Sequence, residues 1–154
     1  MPLYTVAGDP LFTRCQTLAL GYNARGQSES RDELVAIVQE YPVTFASFQR
    51  QTRKDKIVAG NIWMWTESIP QLQIWIMRDS AFGASRIRYV QSIAMSFARD
   101  YLLYGINSLA LVRPGTDIEY PEFQPILQQW LNPLPIPIYL YETYTAGVQA
   151  DERH

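Results

Sequence analysis

Histidine is nearly missing from this chain: His154, the last residue, is the only one. Chain ends are usually mobile. Serine–histidine and cysteine–histidine catalysis therefore have no candidate base in the folded body, and zinc sites with histidine ligands have no donor. Cysteine is equally scarce. Cys15 stands alone, which excludes an intrachain disulfide and a cysteine zinc cluster and fits a reducing compartment. Lysine is limited to Lys54 and Lys56. A basic excess is lacking too: the net charge is -2, whereas non-specific nucleic-acid binding needs a basic surface. No stretch reaches about 18 uninterrupted apolar residues, so no membrane-spanning helix is expected. The opening MPLYTVAGDP lacks a basic segment leading into an apolar one, so no signal peptide is expected, and the cytoplasm is the expected compartment. Any catalysis is left to carboxylates, lysines, tyrosines or backbone groups.

What is present suits a globular domain. The chain has 154 residues, 47% apolar and 18% charged, enough for one domain with a sizeable core. Leu3–Val6 reads as a short buried strand ended by Gly8-Asp9-Pro10, and Thr17–Leu20 as a second. Ser30-Arg31-Asp32-Glu33 has the pattern of a capping box, and Leu34, Ile37, Val38 and Tyr41 follow at helical spacing up to Pro42. A second short helix is predicted to carry Phe45 and Phe48. Ile57–Thr66 and Leu72–Arg78 read as an antiparallel pair joined at Ser68-Ile69-Pro70. Ser85 is predicted to cap a long helix whose buried face carries Ile87, Val90, Ala94, Phe97, Tyr101 and Leu102, with Gly105 as its stop. A strand over Ile106–Val112, a helix over Glu122–Leu131 and a last strand over Ile136–Glu142 complete the order. Pro137 belongs at the start of that strand. Residues 1–142 are expected to form the single domain, and 143–154 a mostly mobile tail. Alternation of strands and helices predicts an α/β domain: a mixed, mostly parallel six-stranded sheet between helices in three α/β/α layers.

The stretch GYNARGQSESRDE, Gly21 to Glu33, carries both a helix start and the makings of a binding loop. Arg25 and Arg31 can line an anion site, or can be solvated arginines. Asp32 and Glu33 suit the helix dipole and compete with any phosphate for the same N–H groups. Asn23 fits a left-handed turn as well as a ligand contact, and Asp9 fits a Gly-Asp-Pro turn. Trp63, Trp65 and Trp75 alternate with aliphatic residues as sheet packing does.

Several segments in order are similar to the macro domain, the ADP-ribose-binding module. YTVAGD resembles its first strand with the terminal Gly-Asp, and TLALGYNARG its second strand with the asparagine loop. IVQEYP resembles the end of the first helix, IVAGNIWMW the glycine-led third strand and SRIRYVQSIAMSFARDY the long helix. ALVRPGTDIEYPEFQPIL resembles the alanine-leucine strand, glycine loop and next helix. The resemblance spans Leu3 to Tyr141, and its flavour is the branch that removes ADP-ribose from nucleic acid.

The resemblance implies that Asp9 accepts from the adenine amino group, that Asn23 lies near the distal ribose and that Tyr144 stacks near adenine. It also shows departures. Pro10 stands where a backbone N–H is usual and has none to give. The glycine-lysine-glycine triplet of that branch falls on Ser30, Arg31 and Asp32. An arginine stays protonated and cannot act as nucleophile or base near neutral pH, yet it can clamp a phosphate. Of the second glycine loop only Gly115 remains, with Asp117, Glu119 and Tyr120 where glycines are usual. The reading is a macro-like binding module with a remodelled cleft for ADP-ribose or a related nucleotide-type ligand, weak and non-catalytic, with Asp9, Asn23, Arg25, Arg31, Gly115 and Tyr144 as its residues. No catalytic residue, metal or cofactor is assigned, and nucleic acid is reached only through ADP-ribose. Two alternatives stay open: an ADP-ribosyl hydrolase with a rearranged site, and a protein-interaction domain that kept the fold without a ligand.

Overall fold

A computed structural model describes residues 3–153; Met1, Pro2 and His154 lie outside the described residues. Six strands form one sheet: β1 (Leu3–Gly8), β2 (Thr17–Asn23), β3 (Ile62–Trp65), β4 (Gln71–Arg78), β5 (Leu109–Val112) and β6 (Ile138–Tyr144). Their order across the sheet is β1-β6-β5-β2-β4-β3. Every pairing is parallel except β3 with β4. The central strands carry unbroken apolar runs such as Leu109–Val112 because both of their faces are covered, as parallel sheets require.

Four helices supply the cover: α1 (Asp32–Glu40), α2 (Pro42–Arg53), α3 (Ile87–Asp100) and α4 (Tyr120–Leu131). Trp75, Val90, Ile93, Phe97, Leu111, Phe123 and Leu127 form the core under α3 and α4. Leu18, Leu20, Ile37, Phe45, Phe48 and Ile74 form the one under α1 and α2. The predicted three-layer sandwich with a mixed, mostly parallel sheet is thus the observed one. Among the described residues no helix is long and apolar enough to cross a membrane.

Several boundaries differ from expectation. The capping box does not form. Arg31 is the N-cap of α1 without a side-chain cap bond, and the Glu33 carboxylate turns to the Arg31 guanidinium at 3.1 Å, a charge partner a serine amide cannot match. Ser85 likewise leaves the cap of α3 to Arg86. Ile87 and Leu102, assigned to the buried face, are exposed, and Ile93 takes a place in the core instead. β3 is limited to four residues, since Gly60 in the left-handed region, φ +92°, breaks the strand before it. β5 begins only at Leu109; Ile106 instead donates its N–H to Tyr101 O at 2.9 Å as part of the turn closing α3.

The chain end departs most. β6 runs on through Thr143 and Tyr144, which pair with Ala7 and Gly8 of β1. Residues 145–153, expected to be mobile, are tied down. Thr145 N donates to Gly8 O at 3.0 Å, and Asp9 N to Val148 O at 2.6 Å. The Glu152 carboxylate accepts from Thr13 Oγ1 at 2.8 Å, from Arg14 N at 2.9 Å and from the Tyr141 hydroxyl. A carboxylate holding three donors from β6 and the β1–β2 loop outweighs the polar composition that suggested a loose tail.

Candidate functional site at the carboxyl edge of the sheet

Because β1, β2, β4, β5 and β6 run parallel, their carboxyl ends share one edge, where ligands of open α/β sheets usually sit. Five connections rise there: residues 9–16, 24–31, 79–86, 113–119 and 145–153.

Asn23 closes β2 and is fully buried. Its Nδ2 donates to Gln27 O at 2.8 Å and to Glu29 Oε2 at 2.7 Å, and its Oδ1 accepts from the amides of Arg25 and Gln27. Asn23 thus moulds its own loop. Both N–H groups of the amide and both lone pairs of its oxygen are spent on the loop and on Glu29, so it has neither donor nor acceptor left for anything else. Glu29 passes the network on through an ion pair with Arg78 at the end of β4, and Arg78 Nη1 donates to Gly83 O at 2.9 Å. Glu29 is itself 9% exposed.

Arg31 spans the crevice. Its Nη1 donates to Arg113 O at 2.9 Å and Gly115 O at 2.8 Å, tying the start of α1 to the loop after β5. Gly115 has φ +83°, and a Cβ there would stand 2.7 Å from the Phe123 ring, so the loop requires glycine for both conformation and space. The two acidic residues of this loop behave differently. Asp117 faces solvent, pairing with Arg113 at 2.7 Å with its side chain 89% exposed. Glu119 faces inward and accepts from Ser85 N at 2.9 Å and Thr116 N at 3.1 Å. The crevice is therefore charge-balanced, with Arg31 and Arg78 facing Glu29 and Glu119, rather than acidic.

Asp9 closes β1 and is buried. One carboxylate oxygen accepts from Leu11 N at 3.0 Å and the other from Gly147 N at 2.9 Å. It caps the 3-10 turn Pro10–Phe12 and anchors the chain end. Tyr144 lies beside it in the β1–β6 ladder, opposite Gly8. Burial, then the carboxylates of Asp9, Glu33 and Asp32, raise the pKa of its hydroxyl above the ordinary tyrosine value and keep it protonated.

Arg31 and Gly115 thus line one cavity, Asn23 is joined to it through Glu29, and Asp9 and Tyr144 lie along the same edge. β1 and β2 are three strand spacings apart, about 14 Å at the usual ~4.8 Å each. Arg25 stands apart, exposed over a shallow depression between the β2 end and the α2 terminus. The cavity at Arg31 measures about 30 Å³, room for water and little more. Among the described residues no group of histidine, cysteine, aspartate and glutamate could hold a metal ion.

Residue-by-residue reading of the sequence overlooked Glu29 and Gln27. Both sit in a run of small polar residues that looks solvated. Only the fold reveals that β4 delivers Arg78, and the loop after it the amide of Ala81, to meet them.

No family model matches the chain, and no curated protein is similar to it in sequence. Solved structures are similar in fold. The macrodomain of Thermus aquaticus DarG superposes with a TM-score of 0.81 at 18% identity, over 91% of this chain and 97% of that one. Thermosipho africanus DarTG, solved in complex with ADP-ribose, gives 0.82 at 20% identity over 97% of this chain and 43% of that one. A Streptomyces coelicolor macrodomain protein gives 0.71 at 18% identity over 94% and 99%. The fold is the macrodomain fold.

Proposed function

We propose that this chain is a binding module that takes ADP-ribose, or a related nucleotide-type ligand, along its carboxyl edge without turning it over. One observation carries the reading: the Arg31 guanidinium is held against the Gly115 loop, between the Asn23 loop and the Asp9 strand end. A guanidinium there suits a diphosphate, which it can clamp through two parallel hydrogen bonds. In this reading Arg31 leaves the carbonyls of Arg113 and Gly115 for the ligand. Asp9 uses a remaining lone pair for an adenine amino group, and Tyr144 packs against the base. Asn23 holds the loop that receives the distal ribose, and Arg25 adds long-range attraction from outside the cleft. A structure of the same fold solved in complex with ADP-ribose supports the choice of ligand.

Binding is weak because the cavity must open from about 30 Å³, whereas ligand sites usually span several hundred Å³. Catalysis is not proposed because the crevice carboxylates are all committed. Glu29 holds Arg78 and Asn23, and Glu119 and Asp9 hold backbone amides.

Calorimetry with ADP-ribose at millimolar concentration tests the reading. Heat is expected for the native chain and is expected to fall at least about tenfold in affinity for Arg31→Ala, the worth of one charge-assisted contact. No heat for the native chain, or equal heat for the variant, overturns it. Release of ADP-ribose from modified DNA at high protein concentration would replace the binding module with the hydrolase.

A further inference from the structure

A second cavity lies at the far end of the molecule. It opens between β3, the first residues of β4 and the last turn of α3, at the amino edge of the sheet, and shares no lining residue with the crevice. We propose that it is a second ligand site, and that it takes a small aromatic molecule carrying a carbonyl or carboxylate oxygen.

Gln73 is the residue that argues for a ligand. It sits on β4 among Leu72, Ile74 and Trp75, only 2% exposed. A glutamine buried in a central strand must have its amide satisfied. Its Oε1 accepts from Trp75 Nε1 at 3.0 Å. An indole N–H can only donate, so this contact fixes which end of the amide faces the tryptophan. The NH₂ group is turned the other way, into the cavity wall. Its one partner is the Met64 sulfur at 3.7 Å, a weak acceptor, and its second N–H has none among the described residues. The amide can only give a hydrogen bond here, so the ligand must bring an acceptor.

Shape and lining select the rest. The cavity measures about 210 Å³. A cavity of roughly 150 Å³ lined by apolar side chains is enough for benzene, so one substituted ring fits. Phe97 and Tyr101, their rings 6.3 Å apart and inclined at 19°, give the cavity an aromatic lining that suits a flat ring. Arg99 stands at the rim, 72% exposed and paired with Asp100, a second donor for a carboxylate.

Benzamide and toluene are suitable probes, alike in ring and different in acceptor. With the full chain labelled with nitrogen-15, millimolar benzamide is expected to shift the Gln73 side-chain amide and the backbone amides of Phe97 and Tyr101. Toluene should bind about fivefold more weakly, the worth of one neutral hydrogen bond. Gln73→Met removes the donor at similar volume and should abolish the difference. Because that change also strips Trp75 of its acceptor, Ser96→Trp provides a second variant, filling the cavity from α3 with Gln73 intact; it should abolish binding of both probes. Equal affinity of the two probes, shifts confined to the Arg31 crevice, undiminished binding to Ser96→Trp, or no benzamide binding at millimolar concentration overturns the proposal.

Discussion

Glu29 shows how much one side chain can hold. It is nearly buried and takes both the Arg78 guanidinium and the Asn23 amide. Removing one partner of a buried ion pair leaves the other charge uncompensated, which costs about 3–5 kcal/mol. Glu29→Ala is therefore expected to lower the urea midpoint by an amount corresponding to about 3 kcal/mol. Arg78→Met alone should cost less, since Glu29 keeps the Asn23 donor. The double variant should recover part of the loss, because the orphaned guanidinium is gone, and a double-mutant cycle reads that coupling. Additive losses would mean that Glu29 and Arg78 act independently. Arg31 differs in kind. It is partly exposed, its shortest contacts are to carbonyls and its ion pair with Glu33 is not fully buried, so Arg31→Ala should cost less stability than Glu29→Ala. Its signature is faster amide exchange at Gly115 and Thr116, the loop it pins. Residues of this sort are the hardest to read in advance. Asn23 could be singled out by type and place, but its partner Glu29 carries no local mark.

At the scale of the element, the fold follows from pattern and punctuation. Strands β2, β4 and β5 were readable from apolar runs, and α1 and α3 from helical spacing, because burial imposes those periods. Their ends were not. The capping box at Ser30 failed because Arg31 captures Glu33, and the β3 boundary moved because Gly60 turns the chain. There the competition is local; elsewhere the partners come from distant segments. The chain end is the clearest case. Nothing in TAGVQADERH shows that Glu152 meets Tyr141, Thr13 and Arg14, or that Ala150 lies over Gly8. A Cβ on Gly8 would stand 2.8 Å from Ala150 N; backbone cannot yield as a flexible side chain can. Gly8→Ala is thus expected to loosen residues 145–153 while leaving the sheet intact. Limited proteolysis should cut the variant in that segment and spare the native chain. Equal resistance would show that the segment stays docked without this contact. At Gly115, by contrast, an added methyl meets the Phe123 ring at 2.7 Å from a left-handed backbone. Gly115→Ala should cost about 1–3 kcal/mol through strain and overpacking together, measured as a drop in unfolding free energy.

For the molecule as a whole, one consequence of this architecture is a lopsided response to pH. Burial raises the Cys15 thiol from 9.0 to about 11. Burial and then the hydrogen bond to a carboxylate push the hydroxyls of Tyr120, held by Glu142, and Tyr141, held by Glu152, above their ordinary value of 10.0. In each case the folded state favours the neutral, protonated form. Below about pH 9 both folded and unfolded chains keep these protons, and the groups contribute no pH dependence. Above it the unfolded chain releases protons that the folded chain retains, so stability falls as pH rises. The decline should begin near pH 9 with Cys15 and steepen past pH 10 as the two tyrosines join. Urea unfolding measured at stepped alkaline pH checks it. Cys15→Ala should flatten the curve between pH 9 and 11 only. Tyr120→Phe should flatten the part above pH 10 and leave the earlier decline in place. A native chain equally stable from neutral pH to pH 11 would mean that these groups titrate alike in both states. The two tyrosines hold the ends of β6 and α4 to neighbouring elements, beside the same carboxyl edge that carries Arg31. Alkaline loosening should therefore appear first in the 113–119 and 145–153 segments, ahead of the core under α3 and α4. Amide exchange across the same pH series, corrected for its intrinsic rise with pH, distinguishes that order from uniform unfolding.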